Sequence, residues 1–288
     1  MIKPLLQGED FLNDVRNSLG NPDAVSVWWL GQSGFLVQWA GKHLLMDPYL
    51  SDSLTVKYAK TDKPHVRMSE RVIAPEQLAF IHVVTSSHNH TDHLDAETLR
   101  PILKQNPAAA LVIPEANRAF VAERLDVAPD FPLGLNAGES LDYQGFKIHA
   151  VPAAHNEIEM DSAGRHKFLG YVIQAGRCKI YHSGDTKLYP GMVERLRPWN
   201  IDLALLPING DRPERRVAGN LDGKEAATLA KEIGARLAIP CHYDMFHFNT
   251  ASTEEFVATA ERLRQPCRVL HLGERWCENF STGSATPR

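Results

Sequence analysis

Val83-Val84-Thr85-Ser86-Ser87-His88-Asn89-His90-Thr91-Asp92-His93-Leu94-Asp95 is the stretch that decides what fold this chain adopts. An apolar run of the kind that makes a buried strand stops at Thr85. Four cation-binding side chains follow at once, in the order H-x-H-x-D-H. In an extended segment residues i and i+2 face the same way, so His88 and His90 are predicted to grip one ion together. Asp92 and His93 fall where the chain turns into a helix beginning near Asp95, within reach of a second point. A lone histidine at a strand end is ordinarily a satisfied polar residue. Three histidines and an aspartate at this spacing fit neither a core nor a solvated surface, and they suit zinc, iron or manganese.

Upstream of this stretch, residues 1–24 read as a helical lead-in closed by the turn Gly20-Asn21-Pro22. Val25–Leu30, Gly34–Trp39 and His43–Met46 are then short apolar runs separated by glycine-containing turns, the pattern of an antiparallel meander. Residues 51–74 are polar and irregular, a loop long enough to cap a site. Downstream, strand-like runs (Ala110–Ile113, Lys147–Val151, Phe168–Gln174, Lys179–Tyr181, Leu203–Leu206, Leu237–Ile239, Val269–Leu272) mix with helical periodicity at Ala96–Gln105, Glu115–Leu125, Gly191–Leu196, Gly223–Ile233 and Thr253–Arg264. No linker divides the chain. This order predicts an α/β protein with two mixed sheets packed together and helices outside, as one domain over residues 25–288.

The 288 residues are 43% hydrophobic and 23% charged, with a net charge of −4 free of long single-sign runs. That balance fits a globular protein with no electrostatic footprint for nucleic acid or an anionic membrane. The opening MIKPLLQGEDFLNDVRN has no unbroken apolar core of a secretory signal, and the four cysteines form no C-x-x-C pair; a reducing, cytoplasmic setting is expected. Cys241, beside His242 and facing the other way, is expected to be a buried, inert thiol.

A metal site begun at His88 needs ligands from further along, and three candidates follow apolar strands: His155 after His149–Ala154, Asp185 after Ile180–Gly184, and His242 after Leu237–Cys241. Taken in order, H-x-H-x-D-H, a lone histidine, Ser183-Gly184-Asp185-Thr186 and Pro240-Cys241-His242 resemble the motif set of the metallo-β-lactamase superfamily over roughly residues 25–275. Trp28-Trp29-Leu30-Gly31, Tyr181 to Asp185 and Pro240 to Asp244 are most similar to its L-ascorbate-6-phosphate lactonase-like branch.

The resemblance implies the four-layer αβ/βα sandwich, with His88, His90 and His155 on one metal, Asp92, His93 and His242 on a second, and Asp185 bridging. It implies that Asp47, in Leu45-Met46-Asp47-Pro48, supports the ligands from behind. One or two divalent ions are expected, Mn²⁺ or Zn²⁺ first and Fe²⁺ also admitted. Such an ion lowers the pKa of coordinated water towards ~7 and so supplies a hydroxide nucleophile, with Asp92 typed to hold or deprotonate that water. The implied activity is hydrolysis of a small anionic ester or lactone, with a phosphodiester as the alternative and a non-catalytic metal-binding protein third. An aspartate at position 185, where one class of secreted zinc β-lactamases has cysteine, argues against antibiotic hydrolysis.

The partner expected is a small molecule, with no nucleic acid and no membrane, and a homo-oligomer is left open. For substrate contacts the 51–74 loop offers His65 and Arg67, with Lys57, Lys60 and Arg71 beside them. Asn209 and Arg212 follow a later strand, and Tyr243 adjoins a ligand candidate, with His247 a few residues on. Arginine in such places clasps carboxylate or phosphate.

Overall fold

In a computed structural model, which describes residues 1–280, the chain forms helix α1 (Gly8–Asn17), then β1 (Ala24–Gly31), β2 (Gly34–Trp39) and β3 (Lys42–Met46). α2 (Ser53–Tyr58), β4 (Val83–Thr85), α3 (Ala96–Gln105), β5 (Ala110–Pro114), α4 (Arg118–Leu125) and β6 (Leu133–Leu135) follow. Next come β7 (Ser140–Tyr143), β8 (Phe146–Pro152), β9 (Leu169–Ala175), β10 (Cys178–His182), α5 (Met192–Leu196) and β11 (Leu203–Pro207). The last elements are α6 (Gly223–Glu232), β12 (Leu237–Cys241), α7 (Glu254–Leu263) and β13 (Arg275–Asn279). Residues 281–288, the end of the expected domain, lie outside the described residues.

The strands make two mixed sheets, ordered β13-β1-β2-β3-β4-β5-β6 and β12-β11-β10-β9-β8-β7. Each holds an antiparallel meander followed by parallel strands. β1, β2 and β3 run antiparallel and β4 and β5 continue parallel to β3. β8, β9 and β10 run antiparallel and β11 and β12 continue parallel to β10. Residues of both sheets share one apolar core. Polar contacts also cross it: the Tyr171 hydroxyl donates to the Ser86 carbonyl at 3.0 Å, and His182 Nε2 lies 2.9 Å from the Ser33 carbonyl. Among the described residues no helix is long and apolar enough to cross a membrane.

The expected strands and helices form within a residue or two of their apolar runs, except that Glu115–Asn117 is a 3-10 turn ahead of α4, and with three further differences. Val269–Leu272 is buried but is not a strand; the edge of the first sheet is the polar β13, of which Trp276 alone is buried. β6 and β7 are short, half-exposed strands at the far edges of the two sheets, without the apolar signal of a central strand. The 51–74 segment contains α2.

The lead-in helix α1 is seated in the core. Phe11, Leu12 and Val15 are buried, Phe11 packs edge-on against Trp28, and Trp28 Nε1 donates to Asp14 Oδ2 at 2.8 Å. Replacing Phe11, fully buried, by alanine should therefore cost about 3–5 kcal/mol. Chemical denaturation would measure it, and a loss below about 1 kcal/mol would mean that α1 is not part of the core.

Candidate metal centre

The chain after β4 does not stay extended. Residues 87–94 fold into tight turns in which the His93 and Leu94 amides both donate to the His90 carbonyl, at 3.1 and 2.8 Å. His88 and His90 are thus brought together by a turn instead of by strand alternation, with ring centroids 4.6 Å apart. Asp95 then caps α3 by accepting from the Thr98 amide at 3.0 Å, which fixes where the turn ends.

His155, just past β8, joins this pair at 5.3 Å from His88 and 5.0 Å from His90 between ring centroids. Its Nδ1 donates to the Gly219 carbonyl at 2.9 Å, which leaves Nε2 with its lone pair towards the other two. A second group adjoins the first. Asp185 Oδ1 lies 3.2 Å from His93 Nε2, and Asp185 Oδ2 lies 3.3 Å from His242 Nε2 and 3.6 Å from His155 Nε2. Asp92 Oδ2 is 3.6 Å from His93 Nε2 and 3.5 Å from His242 Nε2. One donor atom from each of His88, His90 and His155, and one from each of Asp92, His93, Asp185 and His242, form two convergent sets, with Asp185 reaching both.

Asp47 stands behind them, fully buried. It accepts from the Ser87 amide at 2.9 Å, from the Ser87 hydroxyl, and from His93 Nδ1 at 2.6 Å. That bond fixes the His93 tautomer and turns Nε2 to the front. Gly184 lets the two turns meet, since a Cβ on it would lie 2.5 Å from the Ser87 Cβ. Gln32, Asp47 and His242 all take left-handed backbone (φ 50°, 41° and 63°), the kind of strain that collects at functional sites.

The donor chemistry fits a divalent cation. His88 Nε2 is buried without a hydrogen-bond partner, a costly state for an imidazole nitrogen unless a cation shares it. Burial works against the charges on Asp92 and Asp185, yet the imidazoles of His93 and His242 hold both carboxyls well below the usual range. In return, and against the same burial, the two aspartates raise His242 to about 9 and His93 well above an ordinary imidazole. Burial, with the neighbouring imidazoles, lowers His88, His90 and His155, so that trio is neutral at pH 7. Cys241 is buried and its thiol is pushed far up by burial, in keeping with an inert sulfur.

A cavity of about 430 Å³ opens over these donors. His65 lines it, stacked on Tyr58 at 4.2 Å and flanked by Phe246 and Phe248. Lys57 lines it as well, whereas Arg67, Arg212, Tyr243 and Asn209 are placed elsewhere. Arg67 donates to the Ser69 and Ser51 carbonyls at 2.7 Å each, so it ties the loop to its own base. Arg212 is exposed and outside the cavity lining. Tyr243 stacks on Trp29 at 4.5 Å and donates to the Leu270 carbonyl, away from the metal donors. Asn209 is buried behind the wall and reaches the cavity only through Asn220 and Asn249. Gln32 was not expected at the site, yet its Nε2 lies 2.8 Å from Asp92 Oδ2 and 3.1 Å from His242 Nε2. Its only sequence signal is the Gly31-Gln32-Ser33-Gly34 turn.

A family model described as the beta-lactamase superfamily domain matches residues 42–243. The chain is 30% identical over 251 residues to a UPF0173 metal-dependent hydrolase of Opitutus terrae, covering 85% of this chain and 96% of that one. It is 28% identical over 242 residues to one from Caldivirga maquilingensis, with 84% and 92% covered. Igni18, described as a novel metallo hydrolase from the hyperthermophilic archaeon Ignicoccus hospitalis, shares the fold with a TM-score of 0.66 at 22% identity, over 90% of this chain and 100% of that one.

Two outcomes are expected. Asp47→Asn should weaken metal retention by about 10–100-fold in a chelator competition, because His93 loses the carboxylate that orients it. Metal uptake by stripped protein should release protons near pH 7, where His93 and His242 hold them. Affinity should therefore fall as pH drops below about 9, by about tenfold per pH unit for each proton displaced. Calorimetry in buffers of different ionisation enthalpy would show it, and uptake without proton release would contradict it.

Proposed function

The chain belongs to the beta-lactamase superfamily, and from that premise we propose that it is a metal-dependent hydrolase acting on a small anionic ester or lactone. The observation that carries this is the pair of convergent donor sets with Asp185 between them at the floor of the cavity. In this reading His88, His90 and His155 hold one cation, Asp92, His93 and His242 hold a second, and Asp185 is shared. The donors are nitrogen and oxygen only, a set suited to Mn²⁺, Zn²⁺ or Fe²⁺. When bound, such an ion supplies Lewis acidity and lowers the pKa of coordinated water towards ~7.

The remaining roles fall to the protein's own groups. Asp92, the most open of the second set at 17% side-chain exposure, accepts from Gln32 on Oδ2, which leaves Oδ1 to hold the attacking water by accepting a hydrogen bond from it. Of the lysine and arginine in the lining, Arg124 is committed to the Asn89 and Leu94 carbonyls and lies 4.3 Å from the Phe120 ring. Lys57, 5.1 Å from the Tyr58 ring centroid, is the one left to meet an anionic substrate group. Tyr58, His65, Phe246 and Phe248 give the cavity flat apolar surface, which suits the body of a carbonyl substrate.

Protein reconstituted in parallel with Mn²⁺, Zn²⁺ and Fe²⁺ should hydrolyse members of an ester and lactone panel, with phosphodiesters as the competing arm. His90→Ala should lose at least about 100-fold in kcat/KM, the scale of a lost metal ligand. Turnover that survives this substitution on every substrate would sink the mechanism, and turnover confined to phosphodiesters would sink the substrate class.

A further inference from the structure

Beside the metal donors, one wall of the cavity is built from three asparagines and an arginine. Arg215 donates through one terminal nitrogen to the Asn209 carbonyl at 2.5 Å and to Asn249 Oδ1 at 3.1 Å. Its other terminal nitrogen donates to the Thr250 carbonyl at 2.7 Å. A guanidinium has donors only, so the Asn249 atom facing it must be the oxygen. Asn209 Nδ2 donates to that same oxygen at 2.9 Å, which turns Asn209 Oδ1 the other way, where it accepts from Asn220 Nδ2 at 3.0 Å. The polarity set at Arg215 is thus passed through three amides, none of which can flip without opposing donor to donor or acceptor to acceptor.

Two atoms remain at the ends of this relay, the Nδ2 of Asn249 and the Oδ1 of Asn220. Both residues line the cavity, whereas Asn209 and Arg215 stand behind it. Asn220 is only 1% exposed and its Oδ1 has no hydrogen-bond partner. A buried amide oxygen in that state lacks an N–H, which a ligand pressed against this wall would supply. The wall abuts the metal centre, because Asn220 directly follows Gly219, whose carbonyl holds His155 Nδ1.

We propose that Asn220 and Asn249 form a recognition wall for a carboxamide-type group, a substrate element carrying both an N–H and a C=O (an amide, imide or ureide). Asn220 Oδ1 accepts from the N–H and Asn249 Nδ2 donates to the carbonyl. This deepens the hydrolase reading of the same cavity and rests on it; the group is a recognition element and need not contain the bond that is cleaved. Arg215 is a positioning residue, because it orients the amides without reaching the cavity.

The test is binding to metal-loaded protein, by calorimetry or ligand-observed NMR, of two neutral probes of one shape: benzamide and acetophenone, in which a methyl group replaces the NH₂. Benzamide should bind about tenfold tighter than acetophenone, the scale of one hydrogen bond. Asn249→Asp keeps the oxygen that faces Arg215 and Asn209, turns the cavity donor into an acceptor and adds a charge beside Arg215. It should weaken benzamide by about tenfold with metal content unchanged. Equal binding of acetophenone, or no measurable benzamide binding, overturns the proposal, and this comparison on the unmodified protein stands whether or not the variant folds. Lost benzamide preference with metal-dependent ester hydrolysis intact would remove the amide wall alone. Retained preference with no hydrolysis on any substrate would instead remove the hydrolase reading.

Discussion

The buried Asp47 carboxylate is the contact from which the geometry of the centre follows. A carboxylate with no exposure must be met by donors on every side, and here they are the Ser87 amide, the Ser87 hydroxyl and His93 Nδ1. Meeting them holds the turn after β4 against the end of β3 and obliges Asp47 to adopt a positive φ. It also sets one tautomer of His93, so that Nε2 looks towards Asp185 and Asp92. The same turn is pressed against Gly184 from the other sheet, where no side chain would fit. One buried charge thus orders two loops and the front face of an imidazole.

Much of this was legible in the sequence, for physical reasons that differ by residue. The apolar runs of β1 to β3 and β8 to β12 lie in the interior, where burial imposes a pattern, and their limits could be read to within a residue or two. The edge strands β6, β7 and β13 carry half-exposed polar residues and leave no such trace. The seven candidate ligands could be named because each follows a strand end in order. The turn that brings His88 to His90 could not be foreseen, since i and i+2 spacing is equally compatible with an extended segment. Arg67 and Tyr243 looked like cavity residues by position, but each spends its polar group on a backbone carbonyl elsewhere. Gln32, Asn220 and Asn249 come from three separate turns, and only the closed fold sets them around one cavity.

The cavity therefore has two chemically distinct sides. Its floor is ionic, a balance of carboxylates and imidazoles whose charges hold one another in place. Its asparagine wall is neutral, and its direction is fixed from outside by Arg215. A guanidinium kept behind the surface conveys orientation to the cavity without conveying its full charge there, so the floor and the wall can be altered independently.

The matched strand orders of the two sheets have a further consequence. Within the first sheet β1 to β3 form a meander that β4 and β5 continue in parallel, and β8 to β12 repeat that order in the second; each meander ends in a turn bearing an aspartate, Asp47 after β3 and Asp185 after β10. His93 is clamped between them, Nδ1 on the first and Nε2 towards the second. The centre is thus a seam stitched through a single ring, and the ring works as a vernier on the alignment of the two halves. A shift of one half against the other would change both contacts of that ring, which ties the chemistry to the packing between the sheets.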